Sequence, residues 1–158
     1  MNRLKRNYFY KGHDHSEAAW HFSFQYQTDL PVETIWPVLG RIQDWPKVDN
    51  RVAYVRINEA PAAGVAYRLK PFKTPELKMQ IVKFEPPFLY SDLCRLPGAQ
   101  VYFSHQLSKT GKETLIRASI EIDGPLTKFW VAVFGDKFAA GLHEQTERLL
   151  IVARGGIE

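Results

Sequence analysis

The chain reads as an α+β fold: a curved antiparallel sheet of seven strands wrapped around one long C-terminal helix, with two short helices after the first strand. Three observations predict it. From residue 51 to residue 122 hydrophobicity mostly alternates with the two-residue period of half-buried strands. Beyond Gly124-Pro125 the period lengthens to that of a helix and holds to about Ala153. The composition is globular: of 158 residues, 45% are apolar, 13% aromatic and 24% charged, and Cys94 is the one cysteine. That composition argues against disorder and excludes an intramolecular disulfide framework or a cysteine-rich zinc site.

Each element follows in order. Residues 1–19 show no clean period and read as a partly mobile N-terminal extension; residues 20–158 read as one domain. FSFQYQT (22–28) alternates strictly, with Phe22, Phe24 and Tyr26 on one face. Asp29 is placed as an N-cap for a short helix opening at Pro31-Val32, which Pro37 should kink or break after about one turn. Residues 42–50 form a second short helical piece, interrupted by Pro46. Strands are expected over 51–57, 65–70, 76–84, 88–96, 100–107 and 114–122. The adjacent pair Ile81-Val82 suggests a bulge, and Pro86-Pro87 a turn. Residues 108–113 form a hairpin loop with Gly111 left-handed. The last helix spans 126–153 and closes at Gly155-Gly156. At about 100° per residue, Trp130, Phe138, Gly141, Gln145, Leu149 and Val152 cluster about Phe134, while His143, Glu147, Phe129 and Leu150 fall opposite.

A sheet with one apolar face must bury it, and only the last helix carries enough apolar surface to do so. One helix about 10 Å wide cannot fill the concavity of seven strands, so a cavity should remain between them. Its expected size is roughly 300–1,000 Å³, as for small-molecule sites. Its expected lining is Phe24, Tyr26, Tyr67, Leu69, Phe103, His105, Phe134, Phe138, Gly141 and Gln145.

The run LPVETIWPVLGRIQDWPKVDNRV, the strands after it, and HQLSKTGKETLIRASIEIDGPLTKFW leading into an amphipathic helix together resemble the START-like (SRPBCC) superfamily. The chain is most similar to its polyketide cyclase/dehydrase and lipid-transport group, over roughly residues 21–153. The resemblance implies a helix-grip fold with a deep apolar cavity for lipids, sterols, polyketides, plant hormones or quinones. It also leaves open an enzyme of the cyclase/aromatase type, working without metal.

Individual residues carry two readings each. His105 shares a strand face with Val101, Phe103 and Leu107, so its ring enters the cavity as a neutral hydrogen-bonding group or a general acid/base. The commoner alternative is a core histidine satisfied by a carbonyl or a tyrosine. Gln145, on the apolar stripe, either touches water or ligand or rotates to solvent. Gly141 either enlarges the cavity or permits close packing. Tyr26, Tyr67 and Tyr90 could each present a hydroxyl. Ser104 and His105 are neighbours in a strand, so they face opposite ways and form no nucleophile–base pair. Cys94 faces the same side as Asp92 and reads as an inert thiol. His13 and His15 have metal-compatible spacing but no third ligand, so no metal site is expected, and no cofactor; a Rieske centre would need paired Cys.

Charge and hydropathy set the expected partners. The net charge of +4 is scattered, without the patch a nucleic acid would need; a binding role for the outer sheet face or the basic N-terminal arm is the weaker reading. No uncharged apolar run reaches about 18 residues, so no membrane insertion is expected. The N-terminus lacks the apolar core of a secretory signal, and a cytoplasmic location is expected. The function expected is therefore the binding of a small hydrophobic ligand: a lipid, polyketide, quinone or similar molecule.

Overall fold

The computed structural model describes residues 4–6 and 20–155. In order they form β1 (Leu4–Arg6), β2 (Trp20–Thr28), α1 (Val32–Leu39), a 3-10 helix (Ile42–Lys47), β3 (Val52–Arg56), β4 (Ala66–Pro71), β5 (Leu77–Glu85), β6 (Leu89–Leu96), β7 (Ala99–Thr110), β8 (Glu113–Asp123) and α2 (Thr127–Ala153). The strands make one antiparallel sheet in the order β1-β2-β8-β7-β6-β5-β4-β3, curved about the long C-terminal helix. The seven expected strands are present. Leu4–Arg6 adds an eighth by pairing with Phe24–Tyr26; three residues are too few to show a period. The rest of 1–19, with His13 and His15, lies outside the described residues, as does Gly156.

Cross-strand register sets the concave face. One row runs Phe24, Ala118, His105, Tyr90, Phe84; the next runs Phe22, Ile120, Phe103, Asp92, Ile81. On the opposite face Ser91 and Ser104 sit side by side, their hydroxyls 2.8 Å apart. His105 and Ser104 therefore do point opposite ways, as strand geometry requires. The bulge expected at Ile81-Val82 appears as a register shift between Ile81 and Lys83. Strands β7 and β8 run further than expected, to a tight turn at Gly111, whose φ is 65°.

Four local expectations are corrected. Pro37 does not break α1, which continues to Leu39. A single i to i−4 bond is lost there, while Val32, Ile35 and Leu39 are buried along one face and outweigh it. Pro46 likewise sits inside the 3-10 helix rather than ending it. Asp29 does not cap α1; Pro31 occupies that position, and the Asp29 carboxylate accepts from Arg154 at the end of α2. Finally, α2 is turned by roughly 70° from the sequence-derived wheel. Its buried residues are Thr127, Gly135, Gly141, Leu142, Thr146, Leu149 and Leu150, so Leu150 is inside, and Phe134 and Phe138 lie on the flank. The helix packs mainly on β2, β8 and α1, and its flank meets β7 where Phe138 lies against Phe103.

The helix is pinned along its length. At its start Leu126 N–H donates to Gly98 O at 2.9 Å and Trp130 Nε1 to Pro97 O at 2.8 Å. Further along, Arg148 Nε donates to Lys47 O at 2.8 Å.

Candidate functional site

The concave face is apolar except near its centre. Asp92, on β6, is fully buried, and two tyrosines converge on one of its oxygens. Tyr90 Oη donates to Asp92 Oδ2 at 2.7 Å, and Tyr67 Oη, reaching over from β4, donates to the same atom. The two hydroxyls lie 3.1 Å apart. Asp92 Oδ1 has no hydrogen-bond partner. Burial raises the Asp92 carboxyl to about 6, while the two tyrosine donors hold it down. Burial and the Asp92 charge push both phenols well above their ordinary range, so they act as donors.

His105 stands across from Tyr90 and is 2% exposed. The ring meets Trp45 edge-on, with centroids 6.5 Å apart. Neither ring nitrogen makes a hydrogen bond. Burial lowers its pKa to about 4, so the ring is neutral; the Gln145 amide opposes that shift without reaching hydrogen-bond geometry. Burial also pushes the thiol of Cys94, two residues beyond Asp92 on β6, up to about 11.

The remaining sequence-predicted residues divide into groups. Phe24, Tyr26 and Tyr67 are buried on the concave face with His105. Leu69, Phe103, Phe134, Phe138 and Gln145 are half-buried. Phe103 meets Phe138 at 5.8 Å, Phe138 stacks on Phe134 at 5.4 Å, and Phe134 on Trp130 at 5.7 Å. An aromatic file thus leads from the neighbour of Asp92 outward along α2.

Gly141 serves close packing. A Cβ there would collide with the Arg51 guanidinium. That guanidinium binds Asp49 through Nε at 3.0 Å and Nη2 at 2.8 Å, and Nη1 reaches Lys137 O at 3.4 Å. The space left by the missing side chain is thus filled by an arginine, and the expectation that it enlarges the cavity is corrected.

An open depression of about 400 Å³ lies elsewhere, between the β6–β7 turn and the loop before α2, lined by Leu96, Gly98, Asp123 and Pro125 among others. None of the predicted lining residues borders it. Among the described residues no group of three His, Cys, Asp or Glu stands close enough to hold a metal ion. Among them, too, no helix is long and apolar enough to cross a membrane.

Sequence reasoning missed Asp92 as a site residue. Its parity with Tyr90 and Cys94 already placed it on the inward face, beside Phe103 of the next strand. That parity is the one sequence signal for it, a carboxylate between two inward residues; the apolar row it joins emerges only from the strand register.

No known family model and no curated protein matches the sequence. Solved structures do match the fold. The chain is similar to a hypothetical protein from Helicobacter pylori, at 12% identity with a TM-score of 0.72, over 87% of this chain and 90% of that one. It is similar to norcoclaurine synthase from Thalictrum flavum, at 13% identity and TM-score 0.69, over 84% and 92%. It is also similar to Ara h 8.0201, at 13% identity and TM-score 0.63, over 83% and 97%. These likenesses establish the α+β helix-grip fold of Bet v1-like proteins.

Proposed function

We propose that the protein binds a small hydrophobic molecule, such as a lipid, polyketide or quinone, between the concave face and the N-terminal half of α2, as a member of the START-like superfamily. The observation that carries this reading is the contrast at the centre of that face. Asp92 Oδ1 and both His105 nitrogens are buried without partners, beside the half-buried apolar side chains Phe103 and Phe138. An unmet buried polar atom costs about 1–3 kcal/mol, and an incoming polar group removes that cost. The binding residues are Phe24, Tyr26, Tyr67, Leu69, Phe103, His105, Phe134, Phe138 and Gln145, joined by Tyr90 and Asp92. Native mass spectrometry of the purified protein tests it. The expected result is the chain plus one apolar molecule, released by organic solvent; a bare chain that also binds no apolar dye contradicts it.

One observation favours an enzymatic second reading of the cyclase/aromatase type. Asp92 and His105 share the concave face, and burial moves the carboxyl to about 6 and the imidazole to about 4, so near neutral pH the face carries a carboxylate and a neutral imidazole, either of which can accept a proton from a bound molecule. A fold neighbour named a synthase is in keeping with it. His105→Gln separates the readings: a binding protein keeps most of its affinity, whereas an enzyme keeps its affinity and loses about a hundredfold in turnover.

A further inference from the structure

The unmet atoms specify the polar end of the ligand. Asp92 Oδ2 already receives both tyrosine hydroxyls, so it asks for nothing more. Asp92 Oδ1 receives no donor, and neutral His105 offers one N–H and one bare nitrogen, both unmatched. The site therefore lacks a donor for the carboxylate and an acceptor for the imidazole, whose bare nitrogen has no donor closer than the Gln145 amide. A hydroxyl supplies both kinds. A carboxylate supplies no donor and brings like charge beside Asp92. An ammonium accepts nothing from the ring, and a hydrocarbon satisfies none of the three atoms.

Position settles the orientation. Phe103 is in direct register with Asp92 and two residues from His105 on β7. The file Phe103, Phe138, Phe134, Trp130 then runs from the polar centre to the half-open flank of α2, where Phe129 is 55% exposed. The aromatic file therefore begins at the cross-strand neighbour of Asp92 and ends at solvent, although Asp92 and His105 are themselves closed off, so that a ligand reaches them by parting the Phe103–Phe138 contact.

We infer that the ligand is an uncharged alcohol or phenol that enters hydroxyl first, donates to Asp92 Oδ1, meets His105, and lays its apolar body along Phe103, Phe138 and Phe134. This rests on the binding function proposed above. It adds that the site selects an O–H donor against an acid, and against an ether of the same length.

Displacement of Nile red tests it, on protein freed of co-purifying apolar molecules. The competitors are 1-decanol, methyl nonyl ether and decanoate at pH 7.5. For the wild type, 1-decanol should displace the dye at concentrations about tenfold lower than the ether, the weight of one hydrogen bond to a charged acceptor. Decanoate should be weaker than 1-decanol by at least about as much. Asp92→Asn turns the Oδ1 position into a donor, so the ether and decanoate should gain on 1-decanol and the preference should collapse. A melting curve of that variant shows that it is folded, and the wild-type series stands without it. If 1-decanol and the ether compete equally, water fills the polar centre and the inference fails. It also fails if decanoate is tightest, or if Nile red binds and none of the three displaces it; the apolar cavity survives these outcomes. Absence of Nile red binding removes the cavity itself.

Discussion

The two halves of α2 have similar sequence character and opposite surroundings. From Leu142 to Leu150 one face of the helix is sealed, with Gln145 half-buried at its edge: Leu142, Thr146, Leu149 and Leu150 are 4%, 0%, 1% and 3% exposed. From Thr127 to Phe138 it carries larger apolar side chains, yet Trp130, Phe134 and Phe138 are half-buried and Phe129 and Val133 are exposed. The C-terminal half, the clamp, buries its apolar side chains in the core. The N-terminal half leaves larger ones half-buried or exposed, and the proposed function makes it a wall of the binding site. Apolar content alone therefore does not tell clamp from wall; the direction of the buried face does.

The sharpest way to break this comparison is truncation on each half. Leu149→Ala should cost about 2–5 kcal/mol in denaturant unfolding, because a sealed site cannot collapse around the lost atoms. Phe134→Ala deletes more atoms and should cost less, since its ring is already partly in water. Equal losses would mean that the two halves are packed alike.

Next in size is a pH effect at the centre of the concave face. Asp92 holds its proton more tightly folded than unfolded: its contribution is complete below about 3.8 and is lost as pH rises through about 6. His105 runs the other way: its contribution is complete above about 6.5 and is lost as pH falls toward about 4. Each amounts to about 3 kcal/mol, and between pH 4 and 6 they nearly cancel. Asp92→Asn should therefore make the fold weaken on acidification across that window, and His105→Gln should make it weaken as pH rises. Glu121, which burial pushes up to about 7, is common to both variants and drops out of their difference. Urea melts from pH 4 to 7 on the two variants check the opposed slopes; parallel slopes would contradict the burial of one of the groups.

Gly141→Leu lies at the boundary of the halves. It must displace the Arg51 guanidinium and should cost about 1–3 kcal/mol, while leaving apolar dye affinity near that of the wild type. A large loss of dye binding in a folded variant would restore Gly141 to the cavity lining. Smallest of all, Phe129→Ala should leave stability within about 0.5 kcal/mol, since that ring is mostly solvated.

How much of this was legible in the sequence follows from the same packing. Strands β2, β4 and β8 alternate cleanly, and their inward residues Phe24, Tyr67 and Ile120 are where a two-residue period puts them. The position of His105 was readable for the same reason. In β6 the signal is masked, because Ser91 and Leu93 on the other face are also buried and no exposed residue marks the period around Asp92. The facing of α2 departs from the sequence wheel because Trp130, Phe134 and Phe138 dominate any hydrophobic wheel while lying only half-buried on its flank. Arg51 against Gly141 is a long-range contact between residues 90 positions apart, and no local pattern contains it.

One titration tests the central claim, that the N-terminal half of α2 is a ligand-facing wall. Nile red is titrated into Phe138→Lys, which places a charge on the wall, and into Ile151→Lys, which places one on the exposed side of the clamp, where Ile151 is 47% exposed. The expected result is a loss of affinity of about tenfold or more for Phe138→Lys, with a wild-type value for Ile151→Lys and both variants folded. Equal affinities in the two variants would contradict the account.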